Sequence, residues 1–272
     1  VEYGPLPDHR LDVYRPKDGA AICPTLLYIH GGGFRILSKD THWMMAALFA
    51  QAGYTVFNVN YRLAPRYPYP AACEDVAQAA LWLKKHALEY GGDSEAWAVA
   101  GESAGANLSL ALTIANCSPR SEPFANAVFE AELPIRCVLP ACGILQVSDS
   151  QRFRRERPDL PVFFSDRIDV VCSGYLSPGE TNPGLADPLL LLENPQDWTR
   201  PLPPMMAIVG DGDPILEDSL RLGRALDELQ VVNEIPVFNG GGHAFHALFW
   251  RPLSEDAWRQ QIEFLGLHLS HT

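Results

Sequence analysis

The chain has 272 residues, of which 47% are hydrophobic, and its formal net charge at pH 7 is −12. This length accommodates one domain with a sizeable core, and the hydrophobic content excludes an intrinsically disordered chain. The negative charge argues against binding to nucleic acid or to an anionic membrane surface, and its simplest role is to keep the protein in solution.

β-prone segments alternate with helical patterns along the chain. The predicted strands lie near residues 11–15, 25–30, 55–60, 96–101, 137–142, 205–210 and 234–238. One apolar stripe with helical spacing runs from Val76 to Ala87, and another from Trp258 to Leu269. The alternation predicts an α/β fold in which a mainly parallel sheet carries helices on both faces, within a single domain over residues 1–272.

Three consecutive glycines follow the second predicted strand, in the segment His30-Gly-Gly-Gly-Phe34. Such a loop lets backbone N–H groups approach a ligand, and acyl-transfer enzymes need donors of this kind for the oxyanion of the transition state. A flexible turn is the simpler alternative. A phosphate-binding loop is disfavoured because no Gly-Lys-Ser/Thr follows. If the loop binds an oxyanion, His30 holds it in place and takes no part in the chemistry.

Ser103 lies in Gly-Glu-Ser-Ala-Gly, residues 101–105, directly after the apolar run 96–100. A strand that enters a helix through this motif turns sharply, and the serine at the apex is exposed at the sheet edge as a nucleophile. Residues 104–115 are small or apolar nearly all round, which is typical of a buried helix. An ordinary core helix after a glycine-rich turn is the alternative.

An acid and a base follow two later strands, and both lie on loops. Asp213 comes after the run 205–209, and His243 comes after Asn239-Gly-Gly-Gly. The order serine, aspartate, histidine is that of α/β-hydrolases. His246 could also be the base on sequence alone, but the flexible glycine loop favours His243.

Residues 146–202 form a long irregular segment that is rich in proline, arginine and aspartate but also contains Phe163 and Phe164. A loop of this length is usually functional or disordered. Its apolar side chains predict a small lid over the C-terminal edge of the sheet. A surface excursion with its own small core is the alternative.

With these motifs, the chain resembles the bacterial hormone-sensitive-lipase-like family of esterases. The stretches 60–65, 69–75 and 202–204 are also similar to that family, as is Asp213-Pro214. The resemblance implies an α/β-hydrolase fold and a catalytic triad of Ser103, Asp213 and His243. It also implies an oxyanion hole and a set of substrate-binding side chains. The implied oxyanion donors are the N–H groups of Gly31, Gly32 and Ala104, and the implied substrate-binding residues are Phe34, Phe163 and Phe164.

Three features depart from the family pattern. Glu102 stands where the family usually has aspartate, and Arg66 stands where an acidic residue is usual. The oxyanion loop already begins at residue 30, whereas the family usually has about two helices before the first strand. Because those helices form part of the lid, we expect a reduced lid.

The sequence therefore predicts a serine carboxylesterase that hydrolyses small, short-chain acyl esters without a cofactor or a metal. Arylformamidase or amide cleavage is the alternative on the same machinery, and a catalytically silent, ligand-binding relative is the alternative of another class. The expected partner is a small-molecule ester, and a homodimer is possible.

The six cysteines show neither a CxxC pair nor metal-ligand spacing, which favours a reducing, cytoplasmic location. They are expected to be mostly small buried hydrophobic residues, although a disulfide is left open. The sequence shows no signal peptide or membrane-spanning run. It begins with Val1 and not with methionine, so removal of an N-terminal segment is also left open.

Overall fold

A central seven-stranded sheet organises the fold in the computed structural model, which describes residues 1–177, 179, 183–194 and 197–269. The strand order is β1-β3-β2-β4-β5-β6-β8, and a further two-stranded ladder joins β7 to β9. β1 is antiparallel to β3, whereas the other pairs are parallel. The strands are β1 Leu11–Tyr14, β2 Cys23–Ile29, β3 Thr55–Val59, β4 Gly92–Glu102, β5 Ile135–Ala141, β6 Met205–Met206, β7 Val209–Gly210, β8 Asn233–Glu234 and β9 Val237–Phe238.

Helices occupy most of the connections between the strands. They are α1 Trp43–Gln51, α2 Ala71–His86, α3 Ala104–Cys117, α4 Pro123–Ala131, α5 Arg152–Glu156, α6 Val162–Tyr175, α7 Pro188–Glu193, α8 Leu216–Glu228 and α9 Pro252–Leu269. Short 3₁₀ turns cover Lys39–Thr41, Ala87–Tyr90, Gly184–Ala186 and Phe245–Ala247. None of the helices in the described residues is long and apolar enough to cross a membrane.

The sheet separates two hydrophobic layers, because successive side chains of a strand point to opposite faces. In β2, Leu27 and Ile29 pack toward the layer of α2, α3, α4 and α8. Leu26 and Tyr28 of the same strand pack toward the layer of α1 and α9. The predicted α/β fold, with a mainly parallel sheet and helices on both faces, is confirmed.

The last two predicted strands are each divided in two. Backbone hydrogen bonds nevertheless continue from one piece to the next, since the N–H of Ala207 donates to Glu234 and that of Val209 donates to Pro236. Pro236 has no N–H group, so it cannot complete the ladder between the two pieces. The region is therefore one irregular parallel pairing that ends next to Asp211.

The segment 146–202 contains α5, α6 and α7 among its described residues. α6 turns Ile168, Cys172 and Tyr175 toward the core. Phe34 stacks on Tyr175 with ring centroids 3.7 Å apart. The segment therefore packs on the glycine-rich loop that follows β2.

All six cysteines are buried and free. Cys137 lies within β5 and Cys142 directly follows that strand, and both side chains belong to the same hydrophobic layer. They pack there as small apolar groups, and burial raises the pKa of the Cys137 thiol to about 12.

Candidate active site

Ser103 forms the turn between β4 and α3, with φ 53° and ψ −113°. Few residues other than glycine adopt a positive φ, and such strain is typical of functional turns. The N–H of Ser103 donates to the carbonyl of Ala141 over 2.9 Å, which ties the turn to the end of β5. The hydroxyl is thereby fixed at the carboxyl edge of the sheet.

The flanking glycines are required by close backbone contacts. A Cβ atom at Gly105 would lie 2.0 Å from the carbonyl oxygen of Ile29, and one at Gly101 would lie 2.4 Å from the carbonyl oxygen of Gly105. Any larger residue would force the start of α3 away from β2 and β4. The spacing of the motif therefore follows from the packing of this turn.

Three side chains from separate loops meet in one hydrogen-bonded series. The Oγ of Ser103 lies 3.0 Å from Nε2 of His243. Nδ1 of the same imidazole lies 2.9 Å from Oδ2 of Asp213. The other carboxylate oxygen of Asp213 accepts from the N–H of Ile215 over 2.9 Å. A fully buried carboxylate thus orients an imidazole whose second nitrogen can take the serine proton.

The pKa of His243 is raised above the ordinary imidazole value. Burial acts to lower it, but the hydrogen bond and the negative charge of Asp213 outweigh burial, and the charge of Glu102 adds to them. The histidine is therefore a stronger base than a free imidazole, which suits the removal of a proton from a hydroxyl.

The glycine loop offers backbone donors beside this series. Within the described residues, the N–H groups of Gly31 and Gly32 donate to no other group of the protein. A Cβ atom at Gly31 would lie 2.7 Å from a carboxylate oxygen of Glu102, so the loop passes directly against the residue that precedes Ser103. Ala104 begins α3, where the first N–H groups have no partner within the helix. All three predicted donor residues therefore lie in segments next to Ser103.

His30 contacts the loop rather than the triad. Its Nδ1 donates to the carbonyl of Gly31 over 2.7 Å, and its ring stacks on Tyr61 at 4.3 Å. The Tyr61 hydroxyl donates to the carbonyl of His30 over 2.9 Å. Burial lowers the pKa of His30 to about 4, so the ring is neutral near pH 7. Its contacts fit the structural role that the sequence predicted.

Glu102 is buried between two histidines. Its Oε1 lies 3.0 Å from Nε2 of His42, and its Oε2 lies 3.4 Å from Nε2 of His246. Burial acts to raise the pKa of this carboxyl, but the contacts with His246 and His42 outweigh burial and hold the pKa well below its usual range. A charged carboxylate therefore lies directly behind the nucleophile, and no sequence pattern predicts its histidine partners.

His246 lies behind the triad and not in it. The side chain is buried against Glu102, and its ring centroid is 6.1 Å from that of Trp258. Its carbonyl accepts from the Ser254 hydroxyl over 2.6 Å and from the Trp258 indole over 2.9 Å. Of the two candidate bases, the structure brings His243 to Ser103.

A largely apolar cavity of about 350 Å³ opens in front of Ser103 and His243. Phe164 lines it, whereas Phe163 is 68% exposed and lies outside the lining. Phe34 is completely buried against Tyr175, so no substrate can touch its side chain in this conformation. Core packing thus keeps Phe34 away from substrate, contrary to the prediction, and Phe163 lies outside the cavity lining with its ring in solvent.

Most of the cavity wall was missed by the sequence reasoning. It consists chiefly of aliphatic side chains from four segments: Ile36, Leu37, Ile144, Ile168, Val171 and Ile215. Two of these positions carried a usable signal, because Ile144 follows a predicted strand and Ile215 follows the predicted acid. α6 adds a face with helical spacing at residues 164, 167, 168 and 171.

Metal-ligating atoms meet at one place among the described residues. Cys142, Asp213 and His243 bring such atoms within 4.8 Å of one another. Burial raises the pKa of the Cys142 thiol well above its usual value, whereas metal binding needs the thiolate. His243 and Asp213 already bind each other. This donor set suits a proton-transfer series better than a metal.

Comparisons with known proteins agree with the α/β-hydrolase fold. A family model for the α/β-hydrolase fold matches residues 26–247. The acetyl esterases of Salmonella typhi and Salmonella enteritidis PT4 are each 29% identical to the chain over 267 residues, which is 96% of this chain and 76% of theirs.

Solved structures show the same architecture. A hyperthermophilic esterase from the archaeon Pyrobaculum calidifontis is 26% identical and matches 97% of this chain and 88% of its own, with a TM-score of 0.79. A structure described as bacterial heroin esterase is 24% identical and has a TM-score of 0.81, over 96% of this chain and 80% of that one. The second likeness concerns the fold alone.

Proposed function

The chain belongs to the hormone-sensitive-lipase-like family of the α/β-hydrolase fold and is a carboxylic-ester hydrolase, and we propose that it cleaves small, short-chain acyl esters through an acyl-enzyme on Ser103. The observation that carries this proposal is the hydrogen-bonded series from Asp213 through His243 to Ser103, which ends at an apolar cavity. A nucleophile, a base and a fixed carboxylate are the parts that acyl transfer needs.

In the first half-reaction, the Oγ of Ser103 attacks the ester carbonyl carbon while Nε2 of His243 takes the hydroxyl proton. The carbonyl oxygen becomes an oxyanion that the N–H groups of Gly31, Gly32 and Ala104 stabilise. The tetrahedral intermediate then collapses, the bond to the alcohol oxygen breaks, and His243 gives its proton to the departing alcohol.

In the second half-reaction, water attacks the acyl-enzyme. His243 takes a proton from the water and then returns it to the Ser103 oxygen as the carboxylic acid leaves. Asp213 keeps Nδ1 of the imidazole protonated throughout and stabilises the positive charge that forms in both halves. The reaction consumes one ester and one water and leaves the enzyme unchanged.

Ester cleavage is favoured over amide or formamide cleavage by the acetyl esterases among the relatives. The same residues could in principle attack an aryl formamide, so this substrate belongs in the first activity panel. A silent ligand-binding relative would be expected to lack a member of the triad. All three members are present here, and their hydrogen bonds have the lengths that proton transfer needs.

We expect kcat/KM to be highest for acyl chains of about two to six carbons and to fall for longer ones. Each further methylene group contributes about 0.8 kcal/mol of binding free energy only where an apolar surface of the protein can bury it. The cavity has a volume of about 350 Å³, which limits that surface. A panel of p-nitrophenyl esters from acetyl to palmitoyl measures the optimum. A higher kcat/KM for the palmitoyl than for the butyryl ester would contradict the proposal.

Phe164 and Phe163 provide a matched pair of variants for the same panel. Phe164→Ala removes a ring that lines the cavity and should shift the optimum toward longer chains. Phe163→Ala removes an exposed neighbouring ring and should leave the optimum in place. An unchanged optimum in Phe164→Ala would argue against a lid and favour the alternative that the segment 146–202 is a surface excursion with its own small core.

The assembly and location of the protein remain proposals. We propose a single domain over residues 1–272 in which the segment 146–202 forms a lid, and the contribution of α6 to the cavity wall supports this lid. A cytoplasmic location is supported by the six free cysteines. We also propose a homodimer, which light scattering in solution would test.

A further inference from the structure

Arg167 is a charged residue on the cavity-facing side of α6. Phe164, Ile168 and Val171 lie on the same face of the helix, and all four side chains line the cavity in front of Ser103. The remaining wall is mostly aliphatic, so it offers the guanidinium few polar neighbours. A residue of this kind at a substrate cavity is a candidate for recognition and not for packing.

The other arginines of the neighbouring segment all have carboxylate partners. These pairs are Arg152 with Asp218, Arg154 with Asp166 and Asp169, Arg155 with Asp149, and Arg157 with Asp159. Arg167 alone in this group makes no ion pair or hydrogen bond with the part of the chain that the structure describes. Within this group, the arginine without a counter-ion is the one that faces the cavity.

The nearby carboxylates are already engaged by other groups. Asp166 accepts from Arg154 over 2.7 Å, and Asp169 accepts from Gln151 over 2.9 Å. Glu102, which also lines the cavity, is held by His42 and His246. None of these three acids forms an ion pair with Arg167, so its guanidinium remains available to a ligand.

We infer that Arg167 forms a subsite for an anionic group on the substrate, so that the enzyme favours small esters that also carry a carboxylate. The guanidinium stays charged at any working pH, and its planar array of donors matches the two oxygens of a carboxylate. Because the protein carries a net charge of −12, its overall field repels such substrates, and a local cation is needed to accept one. This inference rests on the proposed ester hydrolysis.

Two pairs of esters test the subsite, one for each half of the substrate. Monoethyl succinate carries the carboxylate on the acyl half, and ethyl levulinate is its neutral isostere. Acetoxyacetate carries it on the alcohol half, and acetoxyacetone is the neutral counterpart. The measured quantity is the ratio of kcat/KM for the anionic ester to that for its isostere, obtained by titration of the released acid.

Arg167→Gln should lower this ratio about tenfold in at least one pair, which corresponds to about 1.4 kcal/mol. Arg167→Lys should restore part of it, and Arg167→Glu should lower it further. Raising the ionic strength from about 0.05 M to about 0.5 M should lower the ratio for the wild-type enzyme but not for Arg167→Gln. Arg155→Gln is the matched control, since it removes an exposed, ion-paired arginine outside the cavity lining.

The outcomes separate this inference from the function on which it rests. Hydrolysis of the neutral esters with the same ratio in wild type and Arg167→Gln would overturn the anionic subsite and leave the esterase proposal in place. An equal fall in Arg155→Gln would also overturn it, because the effect would then be one of general charge. Failure of the wild-type enzyme to hydrolyse any of the four esters would overturn both proposals.

Discussion

Ser103→Ala should lower kcat for p-nitrophenyl butyrate by about four to six orders of magnitude, because it removes the atom that forms the acyl-enzyme. Alanine keeps the Cβ atom and adopts the same backbone angles, so the turn should retain its fold. Steady-state kinetics at saturating substrate and a thermal melt of the variant measure the two effects. Retention of more than about a tenth of the wild-type turnover would exclude Ser103 as the nucleophile.

Ser109→Ala provides the matched control for the nucleophile. This serine lies in α3, the helix that follows Ser103, is fully buried, and donates its hydroxyl hydrogen to the carbonyl of Gly105 over 2.8 Å. The control variant should lose some stability, since it removes a buried hydrogen bond, but its kcat should stay near that of the wild type. The comparison separates loss of the reacting oxygen from loss of a nearby serine hydroxyl that takes no part in the reaction.

His243→Ala should abolish turnover to a similar degree, because Nε2 of His243 is the atom that receives the Ser103 proton. In the wild-type enzyme the neutral imidazole is the active form, so kcat/KM should fall as pH falls through the pKa of His243. That pKa is raised, and the acid limb should therefore lie above the ordinary imidazole value of about 6.5. A pH profile of kcat/KM measures the position of the limb.

His246→Ala is the companion variant, only three residues away. It should keep the acid limb and most of kcat, because His246 contacts Glu102 and not Ser103. It should also lower the melting temperature, since the buried Glu102 carboxylate loses one of its two histidine contacts. If His246→Ala removed the limb while His243→Ala kept it, the base would be His246 and the interpretation of the 239–247 loop would be wrong.

The reacting residues could be predicted from the sequence because parallel strands deliver their following loops to one edge of the sheet. Ser103, Asp213 and His243 each come directly after a strand, so their order and loop positions were enough to bring them together. The sharp turn at Ser103 could also be predicted, because it needs glycine at positions 101 and 105, where close backbone contacts leave no room for a larger residue.

The cavity wall and the polar groups behind the nucleophile depend on contacts between distant segments. Phe34 stacks on Tyr175, and Glu102 meets His42 and His246, although no local pattern links these positions. The position of Phe34 beside the glycine loop suggests a substrate contact, but its ring packs against Tyr175 of α6 and is buried there. Phe163 and Phe164 are adjacent in sequence, and only the helical rotation of α6 decides which of them faces the cavity.

The covalent intermediate is the centre of the proposed mechanism, and trapping it tests the account most directly. The enzyme is incubated with diethyl p-nitrophenyl phosphate, whose phosphorus is attacked by an activated serine with loss of p-nitrophenol. The intact mass and the peptide masses are then measured. The mechanism predicts one diethylphosphoryl group per chain, located on Ser103, with full loss of esterase activity and no adduct on Ser103→Ala. An active enzyme that acquires no adduct, or one inactivated by an adduct on another residue, would contradict it.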